Sequence, residues 1–133
     1  MTNYLFDSDI IIDYLAKRKQ AKALIEKIIQ LNESPAVSVL TGIEVKIGLK
    51  DAQMPKVSKF FDALEVIPTT NDIALLAIEF IRSWGKKGKT LHLVDACIAA
   101  TAVTHDLILV TGNKKDYPIF RERVPRHLSW VKQ

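Results

Sequence analysis

The chain has 133 residues and a mass of 15.0 kDa, which predicts a single domain over residues 1–133. Hydrophobic residues make up 48% and charged residues 26% of the sequence, a composition that excludes a disordered chain. The apolar runs are all far shorter than the roughly 20 residues of a membrane span, and the single cysteine, Cys97, excludes a disulfide scaffold.

The net charge of +4 is distributed unevenly along the chain. Residues 1–81 carry 9 basic and 11 acidic residues, whereas residues 82–133 carry 10 basic and 4 acidic residues. This basic C-terminal part suggests a polyanionic partner, most simply a nucleic acid. Basic surfaces are also common on proteins that bind no nucleic acid, so the charge alone leaves both alternatives open.

The N-terminal sequence bears on where the protein resides. No basic segment precedes an apolar one there, so we expect no secretory signal. One unpaired cysteine fits a reducing compartment. The sequence therefore predicts a cytoplasmic protein that does not contact a membrane.

The first half of the chain alternates two predicted strands with helices. A short apolar strand, Tyr4–Phe6, is followed by apolar residues at helical spacing. The second strand is Ala36–Val39. Thr41 is then expected to cap a helix, and Pro55 to begin another.

The second half continues this alternation. A strand at Val66–Ile67 precedes a long amphipathic helix that is capped by Asn71 and ends at Gly85. After a glycine- and lysine-rich loop, the pattern predicts a helix from about Val94 to His105 and strands at Leu107–Val110 and Leu128–Val131. Strands separated by helices predict a three-layer α/β fold. Its central, mostly parallel sheet would have about five short strands flanked by helices.

Polar residues follow several of the predicted strands, at the sheet edge where chemistry gathers in such folds. Asp7 follows the first strand, Glu44 lies in the helix after the second, and Thr111-Gly112-Asn113 follows the fourth. Asp95 opens the helix that leads into the fourth strand. We therefore expect these side chains to converge.

Each acid also has a purely structural explanation. Asp7 would serve as a helix cap, although Ser8 and Asp9 offer the same function. Glu44 stands three residues after Thr41, the spacing of a capping box. Asp95 would gain from the dipole at the start of its helix.

Three carboxylates at one sheet edge repel one another, and a hard divalent cation relieves that repulsion. Mg²⁺ or Mn²⁺ prefers oxygen ligands and keeps bound waters, one of which becomes a nucleophile. The histidines do not offer a zinc site instead, because His92, His105 and His127 lack ligand spacing.

The loop at residues 85–90 has a sequence that invites a phosphate-binding interpretation. It has two residues between its glycines where a nucleotide-binding P-loop needs four, and it follows a helix, so we reject an NTPase. Lys86, Lys87 and Lys89 would contact phosphates of a polynucleotide. The alternative is a solvated loop.

Four short segments stand in order through nearly the whole chain: Tyr4–Asp9, Ser38–Glu44 with Gly48, Asp95–Ala102, and Leu109–Asn113 with Asp116 and Tyr117. Together they resemble the PIN-domain ribonucleases of the VapC toxin type. The resemblance implies a PIN-like fold and a Mg²⁺-dependent endoribonuclease, usually dimeric and held inactive by a cognate antitoxin. It also implies that Asp7, Glu44 and Asp95 are the three core acids.

Two positions depart from the family pattern. The family often has Asn where this chain has Asp9, which would add a negative charge near the metal or form a simple cap. Some members carry a fourth acid where Asn113 stands, and the nearest acid here is Asp116. Asp116 would contact a metal, orient water through Asn113, or cap a turn.

The resulting prediction assigns a role to each residue. Asp7 and Asp95 would bind the metal directly, while Glu44 would bind it through water or act as general base. Asp116 would position water or a second metal, and Thr111 and Asn113 would bind the carboxylates or the RNA phosphate. The competing hypothesis is a basic module that binds nucleic acid or protein on the same fold without cleaving.

Overall fold

The computed structural model describes residues 2–31, 34–112 and 127–129. The strands are β1 (Thr2–Phe6), β2 (Ser34–Ser38), β3 (Glu65–Ile67), β4 (Ile108–Thr111) and β5 (His127–Ser129). The helices are α1 (Ser8–Leu15), α2 (Lys19–Gln30), α3 (Val39–Ile47), α4 (Met54–Asp62), α5 (Asn71–Lys86) and α6 (Leu93–Thr104), with a 3₁₀ turn at Asp51–Gln53.

One five-stranded sheet holds these elements together, in the order β3-β2-β1-β4-β5. Its four strand pairings are all parallel, which confirms the predicted α/β fold. Phe6 lies opposite both Val37 of β2 and Val110 of β4, so the carboxyl ends of these three strands lie side by side. The predicted fifth strand is shifted by one residue at its start, and Trp130 and Val131 lie outside the described residues.

Neighbouring residues along the central strands point to opposite faces of the sheet, as strand geometry requires. Leu5 and Leu109 belong to the core beneath α5 and α6. Phe6 and Val110 belong to the core beneath α1, α2 and α4. Because each face carries its own buried cluster, the predicted three-layer arrangement is confirmed. None of the helices in the described part of the chain is both long and apolar enough to cross a membrane.

The start of α3 differs from the prediction. Val39 begins the helix instead of ending β2, and Ser38 is its N-cap, with Oγ accepting a hydrogen bond from the Leu40 N–H at 3.1 Å. Thr41 is therefore not a cap. It is fully buried within α3, and its Oγ1 has no hydrogen-bond partner among the residues that the structure describes. The β-branched Val39 favours a strand, but the capping hydroxyl of Ser38 directly before it decides the boundary.

The start of α5 is also shifted by one residue. Thr70 is the N-cap, because its Oγ1 accepts a hydrogen bond from the Ile73 N–H at 3.4 Å, and Asn71 is the first helical residue. The helix continues through Gly85 to Lys86. Threonine and asparagine are both good caps, so the sequence alone did not separate these neighbours.

Candidate functional site

The candidate site lies where β1 and β4 end. Asp7 directly follows β1, and its backbone N–H donates to the Val110 carbonyl of β4 at 3.0 Å. This bond extends the pairing of the two strands by one step beyond Phe6. Asp7 is thereby fixed on rigid backbone between two central strands.

The Asp7 carboxylate is buried, with only 3% of the residue exposed. Oδ1 accepts from the Ser8 N–H and Oδ2 from the Thr111 hydroxyl, both at 2.8 Å. Asp7 also occupies the N-cap position of α1. The structural explanation of Asp7 as a helix cap is therefore confirmed, because α1 begins at Ser8.

Asp9 lies half-buried in the first turn of α1. Its Oδ1 accepts from the Ile10 N–H and its Oδ2 from the Gly112 N–H just beyond β4, both at 2.8 Å. Burial, followed by the nearby negative charge of Asp7, raises the pKa of Asp9 to about 6. This contact could not be predicted from the sequence, since nothing in the spacing links two residues that are 103 positions apart.

Glu44 is an exposed residue in the second turn of α3. Partial burial raises the pKa of its carboxyl group, the charge of Asp7 raises it further, and a hydrogen bond with the Ser8 side chain opposes the shift. These influences place Glu44 close to Asp7 and Ser8. The capping-box explanation for Glu44 is wrong, because Thr41 does not cap α3 and the N-cap, Ser38, lies six residues away.

Asp95 is half-buried, and it is the third residue of α6. α6 leads directly into β4, so its N-terminal end points toward the edge where β4 finishes. This topology places Asp95 at the same edge of the sheet as Asp7, although α6 and α1 cover opposite faces. A favourable interaction with the helix dipole remains a second explanation for an acid at this position.

The remaining predicted residues fall into two groups. Asn113 and Asp116 lie outside the described residues. Lys87 and Lys89 lie with their ammonium groups over the ring of the buried Trp84, at 5.6 Å and 5.0 Å from its centroid. Lys86 is the last residue of α5. The proposed phosphate contacts of these lysines stay a prediction.

The carboxylates suit a hard divalent cation by their chemistry, since they offer only oxygen donors. The raised pKa values of Asp9 and Glu44 both include the charge of Asp7 as a cause, so these groups repel one another. Within residues 2–31 and 34–112, no three His, Cys, Asp or Glu side chains already form a metal-binding group.

A groove of about 310 Å³ runs between α1 and α3 beside Glu44. Ile12 and Leu15 of α1 line one side, and Val45 and Leu49 line the other. Glu44 provides the carboxylate of this otherwise mostly apolar groove. The Glu44 carboxylate is therefore accessible from solvent.

The chain is similar to several known proteins. The chain matches the PIN domain family over residues 4–121. It is 30% identical over 121 residues to Ribonuclease VapC19 of Mycobacterium tuberculosis (strain ATCC 25618 / H37Rv), covering 91% of this chain and 97% of that protein. It is 27% identical over 119 residues to Ribonuclease VapC1 of Methanocaldococcus jannaschii, covering 89% and 81%. Among solved structures it is similar to a chain of a toxin-antitoxin complex from Klebsiella pneumoniae, with a TM-score of 0.82, 30% identity, and coverage of 98% and 100%.

Proposed function

Because the chain belongs to the PIN-domain family, we propose that it is a VapC-type toxin ribonuclease that cleaves RNA internally with the help of Mg²⁺ or Mn²⁺. One observation carries the proposal. The buried Asp7 carboxylate accepts a hydrogen bond from the Thr111 hydroxyl at 2.8 Å where β1 and β4 end. The charge of Asp7 also contributes to the raised pKa of Glu44 on α3, which supports a meeting of carboxylates from two segments at one edge of the sheet. A cation bound by such a cluster can activate water for phosphodiester hydrolysis.

Each acid has its own role in the reaction. Asp7 and Asp95 would hold the cation, and Glu44 would hold it through water or accept a proton from the attacking water. When bound, the cation supplies charge stabilisation for the phosphate and makes a water molecule more acidic. Water adds to phosphorus and the P–O3′ bond breaks, which leaves a 5′-phosphate and a 3′-hydroxyl.

Neighbouring residues orient these groups. Thr111 donates to Asp7 Oδ2 and so would fix the orientation of the carboxylate that holds the cation. Asn113 and Asp116 orient water or the scissile phosphate. Lys86, Lys87 and Lys89 attract the RNA backbone, an interaction that salt would screen.

We also propose the partners and compartment of this protein. A solved relative at 30% identity is named as a toxin-antitoxin complex, which supports an antitoxin as the partner of this chain. Two copies of the chain form a homodimer. Toxin, antitoxin and RNA meet in the cytoplasm.

The direct test uses purified protein and end-labelled bulk cellular RNA, with Mg²⁺, Mn²⁺ or EDTA. We expect cleavage with either cation and none with EDTA. Asp7→Asn and Asp95→Asn should each abolish cleavage. Asp72→Asn is the control, because it removes the same charge from an exposed position in the first turn of α5.

Two results would contradict the proposal. RNA binding without cleavage under every metal condition would identify a non-catalytic binding module. Cleavage by Asp7→Asn at the wild-type rate would show that the acids named here do not form the active site.

A further inference from the structure

The first part of the chain, which is acidic on average, contains a strongly basic segment. Residues 17–27 hold five basic residues and one acid. Four of the basic residues surround the start of α2 and are called here the α2 patch: Lys17, Arg18, Lys19 and Lys22. All four are exposed. The α2 patch is therefore a concentrated positive surface in a part of the chain whose average charge is negative.

The positions of these charges are unfavourable for α2 itself. The N-terminal end of a helix carries a partial positive charge, which repels cations. The first turn of α2 contains no acid, and Arg18, its N-cap, makes no side-chain capping hydrogen bond. Arg18 pairs with the buried Asp13 at 3.1 Å, which leaves the lysines of the patch to be explained. The stability of the helix does not explain them, whereas a bound anion would.

A groove connects the α2 patch to the acidic edge. This is the groove of about 310 Å³ between α1 and α3, and both Glu44 and Ala16 line it. Ala16 directly precedes Lys17. The helix between Asp7 and the patch, α1, has eight residues and is therefore about 12 Å long. A strand of RNA that is bound at Asp7 can extend along the groove to the lysines.

We propose that the α2 patch binds the phosphates of the RNA strand that leaves the acidic edge along this groove. The ammonium groups attract the RNA backbone without selecting a sequence, and the apolar walls of the groove accept the bases. This inference rests on the proposed function, because that function supplies RNA as the ligand and Asp7 as the point from which the strand extends. The lysines bind the substrate and take no part in the reaction step.

The test removes the charge of three lysines and leaves a polar side chain at each position. The α2 variant combines Lys17→Gln, Lys19→Gln and Lys22→Gln. The control variant removes the same charge from exposed positions near the end of α2 and on α4, by Lys27→Gln, Lys56→Gln and Lys59→Gln. Binding of labelled single-stranded RNA is measured by fluorescence anisotropy in EDTA over a series of salt concentrations. With Mg²⁺, kcat and KM for cleavage are measured on the same proteins.

We expect the α2 variant to bind RNA about ten- to a hundredfold more weakly than the wild type at low salt, because contacts to phosphates are lost. The slope of log affinity against log salt concentration should fall by about 2, since each contact with a single strand contributes about 0.7. KM should rise while kcat stays unchanged, because the lysines hold no reacting group. The control variant should match the wild type in every measurement.

A second variant tests the path of the strand. Gly48 lines the groove, and beyond its chain neighbours the nearest atom to a Cβ there is the Val45 carbonyl oxygen at 3.9 Å. Gly48→Leu should therefore fold and fill part of the groove. We expect it to weaken RNA binding and leave the salt slope unchanged, because it occupies space and removes no cation. Ala63→Leu adds the same side chain at an exposed position after α4 and should match the wild type.

Three outcomes would overturn the inference. Unchanged affinity and salt slope in the α2 variant would mean that these lysines form a solvated surface. Equal losses in the α2 and control variants would mean that the net charge of the protein, and not the patch, attracts RNA. Wild-type binding by Gly48→Leu would mean that the strand does not follow the groove. If the wild type binds RNA in EDTA but does not cleave it with Mg²⁺, the proposed function fails, and the binding measurements still decide whether the α2 patch holds RNA.

Discussion

The surroundings of Glu44 disfavour the negative charge of its side chain. Partial burial and the neighbouring Asp7 both raise the pKa of its carboxyl group, and the hydrogen bond with Ser8 offsets only part of this effect. α3 does not need this charge for its cap, which Ser38 supplies. An acid with a raised pKa beside a solvent-accessible groove is typical of a functional residue.

Replacing Glu44 with Gln separates chemistry from stability. A raised pKa means that the charged form is less favourable in the folded chain than in the unfolded chain, so ionised Glu44 lowers stability above its folded-state pKa. We expect Glu44→Gln to abolish RNA cleavage while the thermal midpoint at pH 7 stays equal or rises. Glu26→Gln, on the exposed side of α2, should leave cleavage unchanged. Wild-type activity in Glu44→Gln would remove Glu44 from the mechanism.

At the scale of elements, the N-terminus of α3 offers a choice of cap. Ser38 and Thr41 are both residue types that cap helices well. In the structure Ser38 is the cap, and its Oγ accepts from the Leu40 N–H. Within the described part of the chain, the buried Thr41 hydroxyl has no hydrogen-bond partner. The two side chains should therefore affect stability in opposite directions.

We expect Ser38→Ala to lower the free energy of unfolding by about 1 kcal/mol, the usual cost of losing a cap. Thr41→Val replaces an unpartnered hydroxyl with a methyl group of similar shape, and we expect it to raise the same quantity by up to about 1 kcal/mol. Urea denaturation measures both. If Thr41→Val lowers the free energy of unfolding and Ser38→Ala does not, the Thr41 hydroxyl has a hydrogen-bond partner in solution and the Ser38 cap contributes little.

The C-terminus of α1 ends in a left-handed residue that is not glycine. Lys17 has φ of 61°, its N–H donates to the Tyr14 carbonyl, and the Arg18 N–H donates to the Asp13 carbonyl, both at 3.0 Å. This is the hydrogen-bond pattern of a Schellman motif, in which glycine is preferred at the position of Lys17. The lysine side chain is strained in this backbone conformation.

Lys17→Gly should therefore stabilise the protein. Relief of the left-handed strain is worth about 1 kcal/mol in the free energy of unfolding. Lys22→Gly makes the same chemical change inside α2 and should lower that free energy by about 1 kcal/mol. Equal destabilisation by both variants in urea titrations would rule out strain at Lys17.

Elements differ in how well the sequence predicts them. Apolar periodicity predicted the types and order of the strands and helices, because the same side chains form the two cores. It misplaced the start of α3, where Ser38 and Thr41 compete as the cap, and the start of α5, where Thr70 and Asn71 compete. It could not identify the turn at Lys17, which lacks the usual glycine, nor the bond between Asp9 and Gly112, which depends on the assembled sheet.

At the scale of the whole molecule, the order of the strands creates the site. β1 lies between β2 and β4, so the segments that follow these strands bring Asp7, Glu44 and Thr111 to one edge. Residue types at strand ends allowed this convergence to be predicted, because parallel strands end at the same edge. Repulsion among the clustered carboxylates then lowers the stability of the folded state.

Cation binding should relieve this repulsion and stabilise the folded chain, and thermal unfolding measures the effect. A ligand that binds only the folded chain stabilises it by RT ln(1 + [L]/Kd), which is about 1.4 kcal/mol at ten times Kd. For a chain of this size we expect Mg²⁺ to raise the thermal midpoint by about 3–6 °C. Salt at the same ionic strength is the control, because screening alone also weakens repulsion among the acids.

The variants then assign that rise in midpoint to particular carboxylates. Asp7→Asn and Asp95→Asn should lose most of it, because each removes a ligand from the cation. Asp72→Asn should keep all of it, because its carboxylate stands exposed at the start of α5. If Asp7→Asn gains as much from Mg²⁺ as the wild type does, the cation binds elsewhere on the protein. If Asp95→Asn alone keeps the full gain, α6 does not contribute to the metal site, and Asp95 serves the helix dipole.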